Sequence, residues 1–148
     1  MAKTLWMIVE DNLELQTVLS AMCEMWDVQP IVFSDGNAAI AWLDVIATGA
    51  YQGPLPDVAL LDVRLPGESG PNIGARLRAI PSLSRTAVIL MSAYWMSSSD
   101  KQETLALCQA DLMLDKPLPD MDILRQMIEE SVAKRHATVP PEDETPSA

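Results

Sequence analysis

The sequence predicts an α/β fold, a doubly wound sheet of five parallel strands with helices on both faces. Three observations predict it. Five short apolar runs recur along the chain, stretches with helical spacing fill the gaps between them, and prolines with small polar residues mark the joints. The length of 148 residues fits one domain at roughly 150 residues per domain. Strands that alternate with helices pair in parallel through right-handed crossovers.

Each element has its own signal. Leu5-Trp6-Met7-Ile8-Val9 reads as a strand buried on both faces, because no polar residue alternates within it. Leu15, Val18, Leu19, Met22 and Met25 then recur at three and four, with Asp11 or Asn12 as N-cap. Ile31-Val32-Phe33 is the second strand, and Asn37 caps a second helix with Ile40, Leu43 and Ile46 on one side. Val58-Ala59-Leu60-Leu61 is the third strand, followed by a helix from about Asn72 to Ala79. Ala87-Val88-Ile89-Leu90-Met91 is the fourth strand, followed by a helix from about Ser99 to Gln109. Leu112-Met113-Leu114 is a shorter fifth. The last helix starts near Asp120 and carries Ile123, Leu124, Met127, Ile128 and Val132. Lys134, Arg135 and His136 end it, where the helix dipole favours cations. Residues 137–148 hold three of the eleven prolines and one large apolar residue, Val139. The expected division is therefore a domain over 1–136 and a Pro- and acid-rich tail over 137–148.

Composition excludes several functions. The net charge of −11 repels polyanions, so neither nucleic acid nor an anionic membrane is an expected direct partner. The longest apolar run, Ala38 to Leu43, has six residues, far from the roughly 20 that span a bilayer. The N-terminus has no secretory pattern, and two cysteines make neither a disulfide framework nor a metal cluster, so a cytoplasmic address is expected. With six glycines and no Gly-x-Gly-x-x-Gly or P-loop, dinucleotide and ATP binding are not expected.

Ligands of open parallel sheets bind beyond the carboxyl ends of the strands. The first strand ends in Glu10-Asp11, the third in Asp62, the fourth in Ser92-Ala93 and the fifth in Asp115-Lys116-Pro117. Each alone reads as an ordinary turn or cap. Their joint placement after four strands reads as a site. Carboxylates packed together repel one another, and a divalent cation removes that penalty. Oxygen ligands with room for water suit Mg²⁺. One carboxylate can then attack a phosphoryl donor, while a lysine and a hydroxyl stabilise the phosphoryl oxygens.

These residues closely resemble the receiver domain of bacterial two-component response regulators, over about Lys3 to Arg135. The matching motifs are Ile8-Val9-Glu10-Asp11-Asn12, Leu60-Leu61-Asp62-Val63-Arg64-Leu65-Pro66-Gly67, Gly70, Met91-Ser92-Ala93 and Asp115-Lys116-Pro117. The resemblance implies a flavodoxin-like receiver fold with sheet order 2-1-3-4-5. Helices one and five lie on one face and the other three on the opposite face, which separates Cys23 from Cys108. It also implies that Asp62 accepts a phosphoryl group from a histidine kinase. Asp11 then binds Mg²⁺ directly and Glu10 through water, Asp62 shares the metal, and the Arg64 carbonyl completes the shell. Ser92 supplies the hydroxyl and Lys116 the ammonium, with Lys116-Pro117 in the cis form.

Implied partners are a sensor histidine kinase or a histidine phosphotransfer protein and a downstream protein, with a homodimer through helix four, strand five and helix five as an option. No output domain fits in the twelve-residue tail, and no enzyme activity on a separate substrate is expected. The alternatives are an intermediate phosphorelay receiver and a pseudo-receiver adaptor, the latter disfavoured because every position is filled. A haloacid-dehalogenase-type phosphohydrolase is disfavoured because Arg64 stands where its second aspartate belongs. Two departures stand out. Met113 replaces the aromatic three residues before the lysine, and Leu118 replaces a common phenylalanine. Tyr94-Trp95 either stand in for the missing ring or are surface and interface residues, with the second reading preferred.

Overall fold

The structure, a computed structural model, describes residues 4–140. Its first half runs β1 (Thr4–Val9), α1 (Leu13–Met25), β2 (Val28–Phe33), α2 (Gly36–Ala47) and β3 (Val58–Asp62). The second half runs α3 (Gly70–Arg78), β4 (Ala87–Ser92), α4 (Ser98–Cys108), β5 (Leu112–Asp115) and α5 (Met121–Thr138), with a 3₁₀ turn at Pro81–Leu83. Every strand pair is parallel, and the order is β2-β1-β3-β4-β5. Strand order reverses at β1 and β3, which opens the crevice expected of such a sheet.

Two apolar layers flank the sheet. Met7, Val9, Leu61 and Leu90 point into one, where Ala39 and Leu43 of α2, Ile73 and Leu77 of α3, and Cys108 of α4 meet them. Trp6, Ile8, Leu60 and Ile89 point into the other, closed by Leu19 and Cys23 of α1 and by Leu124 and Ile128 of α5. Neighbouring residues of one strand thus serve opposite layers, so the central strands need no polar alternation. The two cysteines lie on opposite faces, as the resemblance implies.

Several boundaries differ from the sequence reading. β2 begins at Val28, three residues early, and runs through Pro30. It is an edge strand, where a missing N–H is tolerated. The cap of α2 is Asp35, whose Oδ1 accepts from Ala38 N at 2.8 Å, so Asn37 sits inside the first turn. α3 starts at Gly70 behind the cap Ser69. A Cβ at Gly70 would lie 2.2 Å from the Asp62 carbonyl oxygen, so glycine there lets α3 pack against the end of β3. α5 continues through Ala137 and Thr138. Val139 and Pro140 follow it, and residues 141–148 of the expected tail lie outside the described residues.

The sheet edge far from the crevice carries an ionic clamp. Asp111 accepts from Arg78 Nη2 (2.9 Å) and Arg135 Nε (2.9 Å), and from the backbone N of Val88 (2.9 Å). Arg78 also donates to the Thr86 carbonyl, and Arg135 to that of Ser84. Burial, then the nearby Arg135 charge, pushes the Arg78 pKa below its ordinary value, against the pull of Asp111. One carboxylate so joins α3, the start of β4 and α5.

Candidate functional site

The parallel register brings four strand ends level. Asp62 pairs with Met91, Ser92 pairs with Asp115, and Val9, just before Glu10, pairs with Leu61. Glu10 is fully buried, and Asp62 and Ser92 are nearly so. Ionised side chains are rarely buried to that degree unless paired. Lys116 is the partner: its Nζ donates to Glu10 Oε1 and, at 3.2 Å, to Asp62 Oδ2. Burial pulls the Lys116 pKa down. The Glu10 hydrogen bond and the Asp62 charge outweigh that pull and raise the pKa above 10.5. The group is therefore an ammonium at neutral pH.

Glu10 is held on every side. Its Oε2 accepts from Asn12 N at 3.0 Å, and its own N–H donates to the Phe33 carbonyl at 3.0 Å. Asn12 in turn caps α1, accepting from Leu15 N at 2.9 Å. Asp11, between them, is exposed and opens the cluster to solvent. Glu10, Asp11 and Asp62 each offer a carboxylate oxygen within 4.8 Å of the others. Three hard anionic donors against one ammonium leave negative charge uncompensated, and that donor set fits a hard divalent cation.

Ser92 belongs to the same edge, but its hydroxyl is engaged with Tyr94. It accepts from Tyr94 N and donates to the Tyr94 carbonyl, both at 3.1 Å. The Arg64 guanidinium lies over the Tyr94 ring, 3.7 Å from its centroid, an attractive cation–π contact. Met113 is half-buried against the layer of α2, α3 and α4. Trp95, in the loop before α4, is 88% exposed. The Lys116-Pro117 peptide is cis.

Two features escaped the sequence reading. Lys101 on α4 reaches Asp115 Oδ2 at 3.3 Å, tying the fourth helix to the residue before Lys116. Gln16 on α1 donates to the Glu10 carbonyl and to Ser34 Oγ. A polar residue on the first turns of an amphipathic helix gives no signal by spacing alone.

Comparison with known proteins matches residues 6–129 to the family described as the response regulator receiver domain. The chain belongs to that family. Members of that family are generally not enzymes beyond the chemistry of their own phosphorylation. This receiver is 27% identical over 154 residues to the virulence sensor protein BvgS of Bordetella pertussis, a match covering 96% of the chain and 12% of that much longer protein. Among solved structures it resembles the receiver domain of the sensor histidine kinase PA1611 of Pseudomonas aeruginosa, with a TM-score of 0.72 and 23% identity. That match covers 89% of this chain and 99% of the other, whose active-site cleft holds a coordinated magnesium ion. The receiver domain of the Francisella response regulator 1452 is similar too, with a TM-score of 0.69, 22% identity, and coverage of 89% and 98%. No helix among the described residues is long and apolar enough to cross a membrane.

Proposed function

We propose that this receiver works in the cytoplasm, accepts a phosphoryl group on Asp62 from a sensor histidine kinase or histidine phosphotransfer protein, and signals through protein contacts. The observation that carries the reading is the buried Glu10–Lys116–Asp62 bridge beside the solvent-facing Asp11. In the transfer, an Asp62 carboxylate oxygen forms the new bond to phosphorus. The bond from phosphorus to the donor's histidine nitrogen breaks, and that nitrogen keeps the electron pair. Asp11, Asp62, the Arg64 carbonyl and, through water, Glu10 would hold Mg²⁺, which would supply charge neutralisation at the phosphoryl oxygens. Lys116 offers its ammonium to one of those oxygens.

Ser92 gives up the Tyr94 carbonyl and donates to another phosphoryl oxygen. That exchange releases the loop bearing Tyr94, Trp95 and Met96, so the signal passes through the loop into α4, β5 and α5 without an aromatic at 113. A second reading, an intermediate in a phosphorelay, is favoured by the likeness to sensor proteins with their own receivers. Incubation with acetyl phosphate, followed by intact mass measurement, tests the proposal. One phosphoryl group is expected with Mg²⁺ and none with EDTA; no gain in either condition overturns it.

The stacked pair Arg64 and Tyr94 flanks the approach of a hydrolytic water to Asp62, and neither side chain readily accepts a hydrogen bond from it. Slow autodephosphorylation is expected. Arg64→Asn together with Tyr94→Glu supplies acceptors that orient the water and should shorten the phosphoryl half-life at least about tenfold. Equal half-lives would count against the pair's role.

Trp95 is the anchor expected on the output face, whether the partner is another protein or a second copy. With beryllium fluoride as phosphoryl mimic, Trp95→Ala should weaken kinase binding or self-association by about 2 kcal/mol. Unchanged binding and self-association, with and without the mimic, would remove Trp95 from the interface.

A further inference from the structure

From the geometry around Glu10 we infer that Gln16 is a positioning residue for the metal-binding turn, acting on Asp11 through the backbone. This inference rests on the proposed phosphoacceptor reading. Gln16 projects from α1, and both contacts of its amide nitrogen are to oxygens: the Glu10 carbonyl and, at 3.0 Å, Ser34 Oγ in the loop before α2. A carbonyl only accepts, so the NH₂ end of the amide must face Glu10.

The Glu10 carbonyl belongs to the peptide plane that continues into Asp11. Among the described residues no side-chain hydrogen bond or ion pair holds the Asp11 carboxylate, in contrast to Glu10 and Asp62, which Lys116 fixes. The place of the exposed Asp11 carboxylate in the triad is therefore set by its backbone. That backbone is held by the Asn12 N–H on Glu10 Oε2 and the Asn12 cap on α1 on one side, and by the Glu10 N–H on the Phe33 carbonyl and Gln16 on the Glu10 carbonyl on the other; of these, Gln16 alone is a side-chain donor to the peptide that leads into Asp11. Ser34 extends the brace to the next loop, whose Gly36 N–H donates to the Pro66 carbonyl at 2.9 Å beyond β3. One glutamine thereby links the turn carrying the acidic pair to the loop after β2. Groups that orient metal ligands without touching the metal commonly change affinity by 10–100-fold when removed.

The test uses Mn²⁺ as the probe, with free ion counted by electron paramagnetic resonance, on the full chain. Gln16→Met keeps the length and removes both donors. It should weaken Mn²⁺ binding about tenfold while leaving the melting temperature in EDTA within a few degrees of wild type. Placed in an Asp11→Asn background, the same substitution should cause no further loss, because Gln16 acts through Asp11. Wild-type affinity in Gln16→Met overturns the inference, as does an equal loss in both backgrounds. A wild-type protein that binds no Mn²⁺ would instead sink the metal-dependent reading on which the inference stands.

Discussion

Asp62→Asn is expected to take up no phosphoryl group from acetyl phosphate or from a kinase, the largest functional loss among single changes in this receiver. The amide has the shape of the carboxylate but carries neither its charge nor an available nucleophilic oxygen pair. The surroundings stay in place: Lys116 keeps its bond to Glu10, and the β3–β4 ladder at Asp62 is made by backbone atoms. Removing one of three clustered carboxylates also relieves repulsion, so the melting temperature should hold or rise. Intact mass and melting curves measured on the same sample separate loss of chemistry from loss of fold. Phosphorylation of this variant to the wild-type extent would assign the phosphoacceptor elsewhere.

Asp111→Ala should produce the largest loss of stability. The carboxylate lies between Arg78 and Arg135, whose side chains are 6% and 16% exposed. Without it two guanidinium groups remain largely desolvated and face each other without their counter-ion, and Val88 N loses its acceptor. Breaking one partner of a buried ion pair costs about 3–5 kcal/mol, a large part of the roughly 5–15 kcal/mol that holds a typical domain together. Urea unfolding should show that drop in midpoint with little change in slope. Asp111→Asn keeps an acceptor for Val88 and should cost less. A loss under about 1 kcal/mol for Asp111→Ala would mean that the clamp is solvated and weak.

Much of the fold is legible in the sequence because both layers impose period on the chain. Runs such as Ala87 to Met91 have no polar residue, as a strand covered on both faces allows. The start of β2 was hidden by Pro30, which argues against a strand until the strand is known to lie at an edge. The cap of α2 was misplaced by two residues because Asp35 and Asn37 both have capping chemistry. The choice falls to Asp35, whose side chain accepts from Ala38 N. In the site, Glu10, Asp11, Asp62, Ser92 and Lys116 stand at strand ends, where topology alone gathers them. Gln16, the stacking of Arg64 on Tyr94 and the Asp111 clamp depend on side-chain direction between elements distant in sequence. No periodicity encodes that.

The separation of the two cysteines has a practical consequence for following the loop after β4. Both thiols are buried, and burial raises their pKa, that of Cys23 to about 11. At neutral pH each is protonated and out of reach of a soluble reagent. A cysteine introduced at the exposed position of Trp95 would then be the chain's sole fast-reacting thiol. A dye attached there reports on the loop at a known address, with both native thiols left in place.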